Sequence, residues 1–209
     1  MSLDIGNTSF TEFDSYLDNM TKSCPFLKPA LDYNSVINKR FQLNDKNYKK
    51  IEENIFWISL QATEEFRNVR RALTGQKKTL FNVNLIFIYD EGIKGNVLDW
   101  PHYILKLLYS KVGVVYGKFH NGALKTNRHG LLMPSPPFTH LAIRSAIKSK
   151  DARFFNKTPD LVDDILTSKD EREDVLAPFG VSISDINPFS NKIRNELYQE
   201  LYNWAKESL

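Results

Sequence analysis

From Thr79 to Tyr89 the side chains alternate with the two-residue period of an extended strand. Phe81, Val83, Leu85, Phe87 and Tyr89 take one face; Leu80, Asn82, Asn84, Ile86 and Ile88 take the other, which turns apolar only toward its end. A strand this apolar needs neighbours to satisfy its backbone and cover its face. Two later segments qualify: Val114 to Phe119, and Phe138 to Ile147, which carries Leu141, Ile143 and Ile147. Between the first two strands, Asp99-Trp100-Pro101 supplies a cap and an early helical proline. Ile104, Leu105, Leu107 and Leu108 supply a buried stripe, and Gly113 supplies a stop. The order strand, helix, strand, loop, strand predicts an α/β (α+β) domain with a mixed or antiparallel central sheet and flanking helices.

The remaining chain fits around that sheet. Phe10, Phe13, Tyr16, Leu17 and Met20 predict an amphipathic helix over 9–20, after which Cys24-Pro25-Phe26 and Pro29 force a turn. The short apolar run Ile55 to Leu60 reads as a strand, and Thr63 to Leu73 as a helix with Gly75 just past its end. His120 to Pro137 is rich in Gly, Asn, Pro and Ser and reads as a long loop. Thr158-Pro159 opens a helix bearing Leu161, Val162, Ile165 and Leu166. Residues 190–208 form a last helix whose Ile193, Leu197, Leu201 and Trp204 require a docking surface. The length of 209 residues suits one domain over 1–209, with a core over about 24–170 and the two end helices packed on it.

Composition narrows the function classes. A formal charge of +3 is spread along the chain. The densest basic stretches are Lys46/Lys49/Lys50, Arg67/Arg70/Arg71/Lys77/Lys78 and Lys148/Lys150/Arg153, each with acids nearby. Phosphate neutralisation needs a concentrated basic face, so no nucleic-acid partner is expected. No apolar run approaches the roughly 18 residues of a membrane span, and MSLDIGNTSF lacks the pattern of a secretory signal, so no membrane partner is expected either. Cys24 is the single cysteine, which excludes an internal disulfide, a multi-cysteine zinc site and a CxxC pair. A reducing, cytoplasmic location is the expectation.

Site candidates come from the scarce reactive side chains: Cys24, His102, His120, His129 and His140. A thiol followed by proline sits on a rigid turn that can present it to a target or to a soft metal such as haem iron; a small buried hydrophobe is its ordinary role. His120 closes the strand Val114 to Phe119 where side chains commonly face a cleft, against the plainer reading of a turn-capping histidine. Gly117, on the opposite face from His120, leaves space. His140 and Arg144, four apart on a strand, share a face and together suit an anionic group, against the plainer reading in which Arg144 closes a structural ion pair. His102 and His129 receive no role. No GxGxxG, P-loop, HExxH or GxSxG spacing occurs.

In these elements the chain resembles an uncharacterised bacterial domain family whose members carry Cys-Pro-Phe, a Gly-x-Phe-His strand end, a Pro-rich loop and a Leu-Ala-Ile-Arg strand. Here they are Cys24-Pro25-Phe26, Gly117-Lys118-Phe119-His120, Ser135-Pro136-Pro137 and Leu141-Ala142-Ile143-Arg144, followed by Asp151 and Phe154-Phe155. The chain has Asn121 where the family tends to have proline. The resemblance implies a domain without an assigned function, found among proteins of small-metabolite biosynthesis. In size and in its cysteine-bearing entrance the chain is also similar to the YqcI/YcgG family of haem-dependent oxygenases.

The expectation is a small cytoplasmic enzyme of specialised metabolism acting on a small-molecule substrate, with Cys24, His120 and Arg144 converging on one pocket around haem as cofactor. Cys24 and His120 are the catalytic candidates, either of them the metal ligand, while His120, His140 and Arg144 are the cofactor-binding residues. The alternative is a non-catalytic adaptor domain, with a homodimer as one form, whose Phe13, Tyr16, Tyr198, Tyr202 and Trp204 contact a protein partner.

Overall fold

The computed structural model describes residues 11–90, 92, 93, 96–127, 130–151, 158, 160–185 and 191–209. Its elements in chain order are α1 (Thr11–Met20), α2 (Leu27–Asp32), β1 (Val36–Gln42), α3 (Tyr48–Ala72), α4 (Gly75–Leu80), β2 (Asn82–Ile88), α5 (Asp99–Tyr109), β3 (Val114–Phe119) and β4 (Thr139–Ser145), then α6 (Lys148–Asp151), α7 (Asp160–Thr167), two 3₁₀ turns and α8 (Asn191–Glu207). The strands form one mixed sheet in the order β1-β2-β4-β3. β1 and β2 run parallel, joined through the helices α3 and α4; β4 is antiparallel to both β2 and β3. The fold is the α/β class expected. The portions of the predicted helices over 1–10, 159 and 190 lie outside the described residues, as do His129 and Phe154-Phe155.

One sheet face carries Val83, Leu85, Phe87, Leu141, Ile143 and Val114 into the main core, against α3, α5 and α8. The last helix docks there through Leu197, Tyr198, Leu201 and Ala205. The other face is covered by α1, whose Phe13, Tyr16, Leu17 and Met20 pack with Ile86 of β2. Successive strand residues face opposite ways, so the strands expose one row of side chains to each layer.

Two expectations fail on this fold. Ile55 to Leu60 is not a strand: it lies inside the helix Tyr48–Ala72, which Asn47 opens by accepting a hydrogen bond from the Lys50 N–H at 3.2 Å. A short apolar run is ambiguous by itself. Ile51 before it and Phe66 after it continue the helical stripe with no turn signal between. Within residues 51–60 only Asn54 and Ile58 are partly exposed, so the polar face does not show until Gln61, Glu65 and Asn68. The missed strand is β1, VINKRFQ, whose Asn38, Lys39 and Arg40 blur the apolar alternation. Charged residues on an edge strand deter pairing with a second chain, so the sequence of an edge reads as a loop. The Thr79 to Tyr89 strand also starts late, because Thr79 and Leu80 close α4.

The basic cluster at Arg67 and Arg70 is internal. Both guanidiniums are buried and converge on Asp170, which Arg67 meets at 2.8 Å. Arg67 also pairs with Glu64 at 2.8 Å, and Arg70 donates to the carbonyls of Val112 and Gly113 at 2.9 Å each. These charges join α3 to the turn before β3, which takes them away from any phosphate-binding face.

Candidate functional site

The site lies on the α1-covered face of the sheet. Strand register sets Arg144 opposite Asn82, Ala142 opposite both Asn84 and Gly117, and His140 opposite both Ile86 and Phe119. Gly117 and Ala142 therefore sit side by side with almost no side chain, and the sheet surface is hollow there. A Cβ on Gly117 would stand 2.8 Å from Cε2 of Phe119, so the ring occupies space that any larger residue would claim. Above the hollow, Tyr16, Leu17 and Met20 of α1 and the turn Cys24-Pro25-Phe26 form a roof. Pro25 fixes that turn: the Cys24 N–H still closes onto the Met20 carbonyl at 2.8 Å, after which the proline has no N–H to continue the helix. The cavity, open on one side, measures about 300 Å³, at the small end of ligand cavities.

His140 is the best-defined group in it. Its Nδ1 lies 2.9 Å from the Phe138 carbonyl, which can only accept, so Nδ1 carries the proton and Nε2 keeps a lone pair. Phe119 stacks on the ring at 4.5 Å, and Phe13 and Tyr16 meet it edge-on at 4.9 and 5.5 Å. Burial pushes its pKa down to about 4 against the opposing pull of the Phe138 carbonyl, so the imidazole is neutral at pH 7. Beside it, burial and then the neighbouring Cys24 hold the Tyr16 phenol well above its ordinary value, so it stays a hydrogen-bond donor. Cys24 is half-buried and free.

Arg144 lines the same cavity but is already committed. Asp151, 1% exposed, takes its guanidinium at 2.6 and 2.7 Å and also accepts the Ile147 N–H at 2.6 Å. The planar group lies over Phe26, 5.0 Å from the ring centre. The structural ion pair is the role its contacts display.

His120 does not line this cavity. Phe119 points into the hollow, so alternation turns His120 away, and its Nε2 comes 3.6 Å from Oδ1 of Asp99, a carboxylate that also accepts from Lys118 at 2.5 Å. Burial lowers its pKa, with Asp99 opposing. It borders a crevice of about 20 Å³ that shares Tyr16, Phe119 and Met133 as a wall with the cavity. The expected convergence thus brings together Cys24, His140 and Arg144 and leaves out His120. Among the described residues no cluster of three or more His, Cys, Asp or Glu side chains suits a metal ion, and no helix is long and apolar enough to cross a membrane.

Sequence reasoning gave no site role to Met133, Asn82 or Asn84, and weighed Tyr16 only as a contact for a protein partner. The asparagines carried a signal: they keep the second face of an otherwise apolar strand polar at the positions that border the cavity. Met133 carried none, since it arrives from the loop between β3 and β4, where the Met133 N–H bonds the Lys125 carbonyl at 2.8 Å.

A family model described as a domain of unknown function (DUF6875) matches residues 14–174, which include α1 from Asp14 onward, the whole sheet and every residue lining the cavity. No curated protein and no solved structure matches the chain. The chain belongs to this family.

Proposed function

We propose that this member of the DUF6875 family binds a small, mainly apolar molecule in the roofed cavity between α1 and the sheet, with His140 and Cys24 as the groups that meet its reactive end. The observation that supports the reading is the orientation of His140: a neutral imidazole, fixed by a backbone carbonyl through Nδ1, in a cavity that also holds the chain's single thiol. Such an imidazole accepts a proton or hydrogen bond, or ligates a metal, without a cost in rotamer freedom when it does so. A thiol nearby adds a nucleophile once ionised. In the enzymatic form of this reading Cys24 and His140 carry the chemistry, Tyr16 donates a hydrogen bond, and Gly117 and Ala142 set the room.

Haem as the occupant is favoured by one feature and disfavoured by another. A histidine with its Nδ1–H on a carbonyl has the protonation that a ligand to haem iron would need. The residue expected to hold a propionate, Arg144, has its charge met by Asp151. The adaptor reading keeps Tyr202 and Trp204, which are half-buried, while Phe13, Tyr16 and Tyr198 are core side chains.

Two measurements test the proposal. Indole serves as the probe: it should bind the wild type saturably by ligand-observed NMR and slow the alkylation of Cys24 by iodoacetamide. Gly117→Val, which pushes the Phe119 ring into the hollow, should lower indole affinity by about tenfold or more, a loss of roughly 1.4 kcal/mol. Indole that binds the variant equally, or leaves the Cys24 reaction rate unchanged, defeats the cavity reading. For haem, titration should yield a Soret band that Cys24→Ala leaves and His140→Asn removes; a spectrum identical in both variants removes the cofactor and leaves the organic ligand.

A further inference from the structure

A second cleft, about 730 Å³, opens on the other side of the sheet where the first turns of α3 and α5 meet α8. Its walls are aromatic: Tyr48 from α3, Trp100 from α5, Tyr198 and Tyr202 from α8, with the Trp100 and Tyr202 rings 4.3 Å apart. Inside stands Glu52, 5% exposed, beside Tyr198, 8% exposed. Neither Glu52 Oε1 nor the Tyr198 hydroxyl has a hydrogen-bond partner among the described residues. An unmet buried carboxylate oxygen costs the fold free energy unless something from outside completes it. Burial raises the Glu52 carboxyl to about 7; Tyr198 opposes from close by without reaching hydrogen-bond geometry, Asp99 adds to the rise, and Lys49 opposes it. Among the described residues the cleft's lysines meet that charge only in part: Lys50 is held by Glu53 and Asn195 at 3.0 Å each, and Lys49, whose charge acts on Glu52, is exposed at the rim.

We propose that this cleft is a binding site for an organic ammonium ion, with the Glu52 carboxylate as counter-ion, the Tyr198 hydroxyl as a hydrogen-bonding neighbour, and Trp100 and Tyr202 as the aromatic faces against which the cation and its alkyl carbons lie. The combination of a desolvated carboxylate with aromatic rings is the chemistry that discriminates a cation from a neutral molecule of the same shape. The site is independent of the His140 cavity.

The test is isothermal titration with n-butylammonium, n-butanol and butyrate. Butylammonium should bind saturably, with butanol about tenfold weaker or worse and butyrate weaker still. Glu52→Gln should weaken butylammonium by about tenfold or more, whereas Gly117→Val should leave it unchanged, which separates this site from the cavity. If Glu52→Gln does not fold, Trp100→Leu keeps the carboxylate and must weaken the cation several-fold. Equal affinity for butylammonium and butanol, no saturable heat with any probe, or an unaffected Trp100→Leu protein overturns the proposal.

Discussion

Asp170→Ala is expected to destabilise the protein by about 3–5 kcal/mol, because it leaves buried arginines facing the space of a lost counter-ion. Asp170 receives Arg67 and Arg70, whose side chains are 1% and 6% exposed, and Arg71 at 3.2 Å. The lower end of that range is favoured by what remains: Glu64 still meets Arg67, and two carbonyls still meet Arg70. For a chain of this size the loss corresponds to a fall in melting temperature of roughly 6–20 °C. Urea unfolding of the single variant measures it, and the double variant Arg67→Met/Asp170→Leu should regain part of the loss by removing charges at both ends. The same carboxyl sets an acid limit. Burial would raise its pKa, but hydrogen bonds and charge from Arg67 and Arg70 outweigh burial and hold it at about 2. The group is ionised in the folded state and protonated in the unfolded state between about pH 4 and 2, so this stability is present above about pH 4 and disappears as pH falls through that window. A variant within about 1 kcal/mol of wild type at pH 7 would mean that solvent already screens the cluster.

Stability should also fall as pH drops from about 6.5 to 4, and His140 should account for about 3 kcal/mol of that fall. The sign follows from the buried ring: folded His140 resists protonation until about pH 4, whereas the unfolded residue takes its proton near 6.5. The unfolded state therefore binds the extra proton and gains population through this interval, and the loss levels off below it. His102, also pushed down to about 4 by burial, adds a parallel contribution, so the useful quantity is a difference between proteins. His140→Asn keeps an N–H where Nδ1 stands and does not titrate. The wild-type minus variant stability should shrink by about 3 kcal/mol between pH 7 and pH 4, read from urea midpoints at each pH. A constant difference across that range would show that water already reaches the ring and that the neutral imidazole on which the cavity's chemistry rests is not maintained by burial.

Elements with local punctuation were legible in the sequence. The strand Val114–Phe119 and the helix beginning at Asp99 match their expected limits, since an early proline and Gly113 lie within a few residues of the ends they mark. The expected cap fails: Asp99 is the first helical residue, the cap position is Leu98 with no side-chain hydrogen bond, and the Asp99 carboxylate accepts from Lys118 instead. The long helix through Ile55 and Leu60 was misread for want of such marks, and the edge strand Val36–Gln42 because its outward charges are the protection an edge requires. Of the residues that line the cavity, Gly117, His140 and Arg144 are singled out in the sequence by residue type and strand parity, and Cys24 by residue type and the proline that follows it. Parity also held the information that His120 faces away from Phe119 and hence from the hollow.

The sequence by itself determined the class of fold, the sheet-facing parity of His120, His140 and Arg144 and the turn that carries the thiol, because these follow from dihedral limits and from the two- and 3.6-residue periods acting over a few neighbours. The tertiary structure alone decided which of those groups meet. Arg144 finds Asp151 beyond the end of its strand, the Arg67 cluster folds onto an aspartate far along the chain, and Glu52 faces Tyr198 across two helices. Those pairings depend on how layers stack, a relation between segments distant in sequence that no local period encodes.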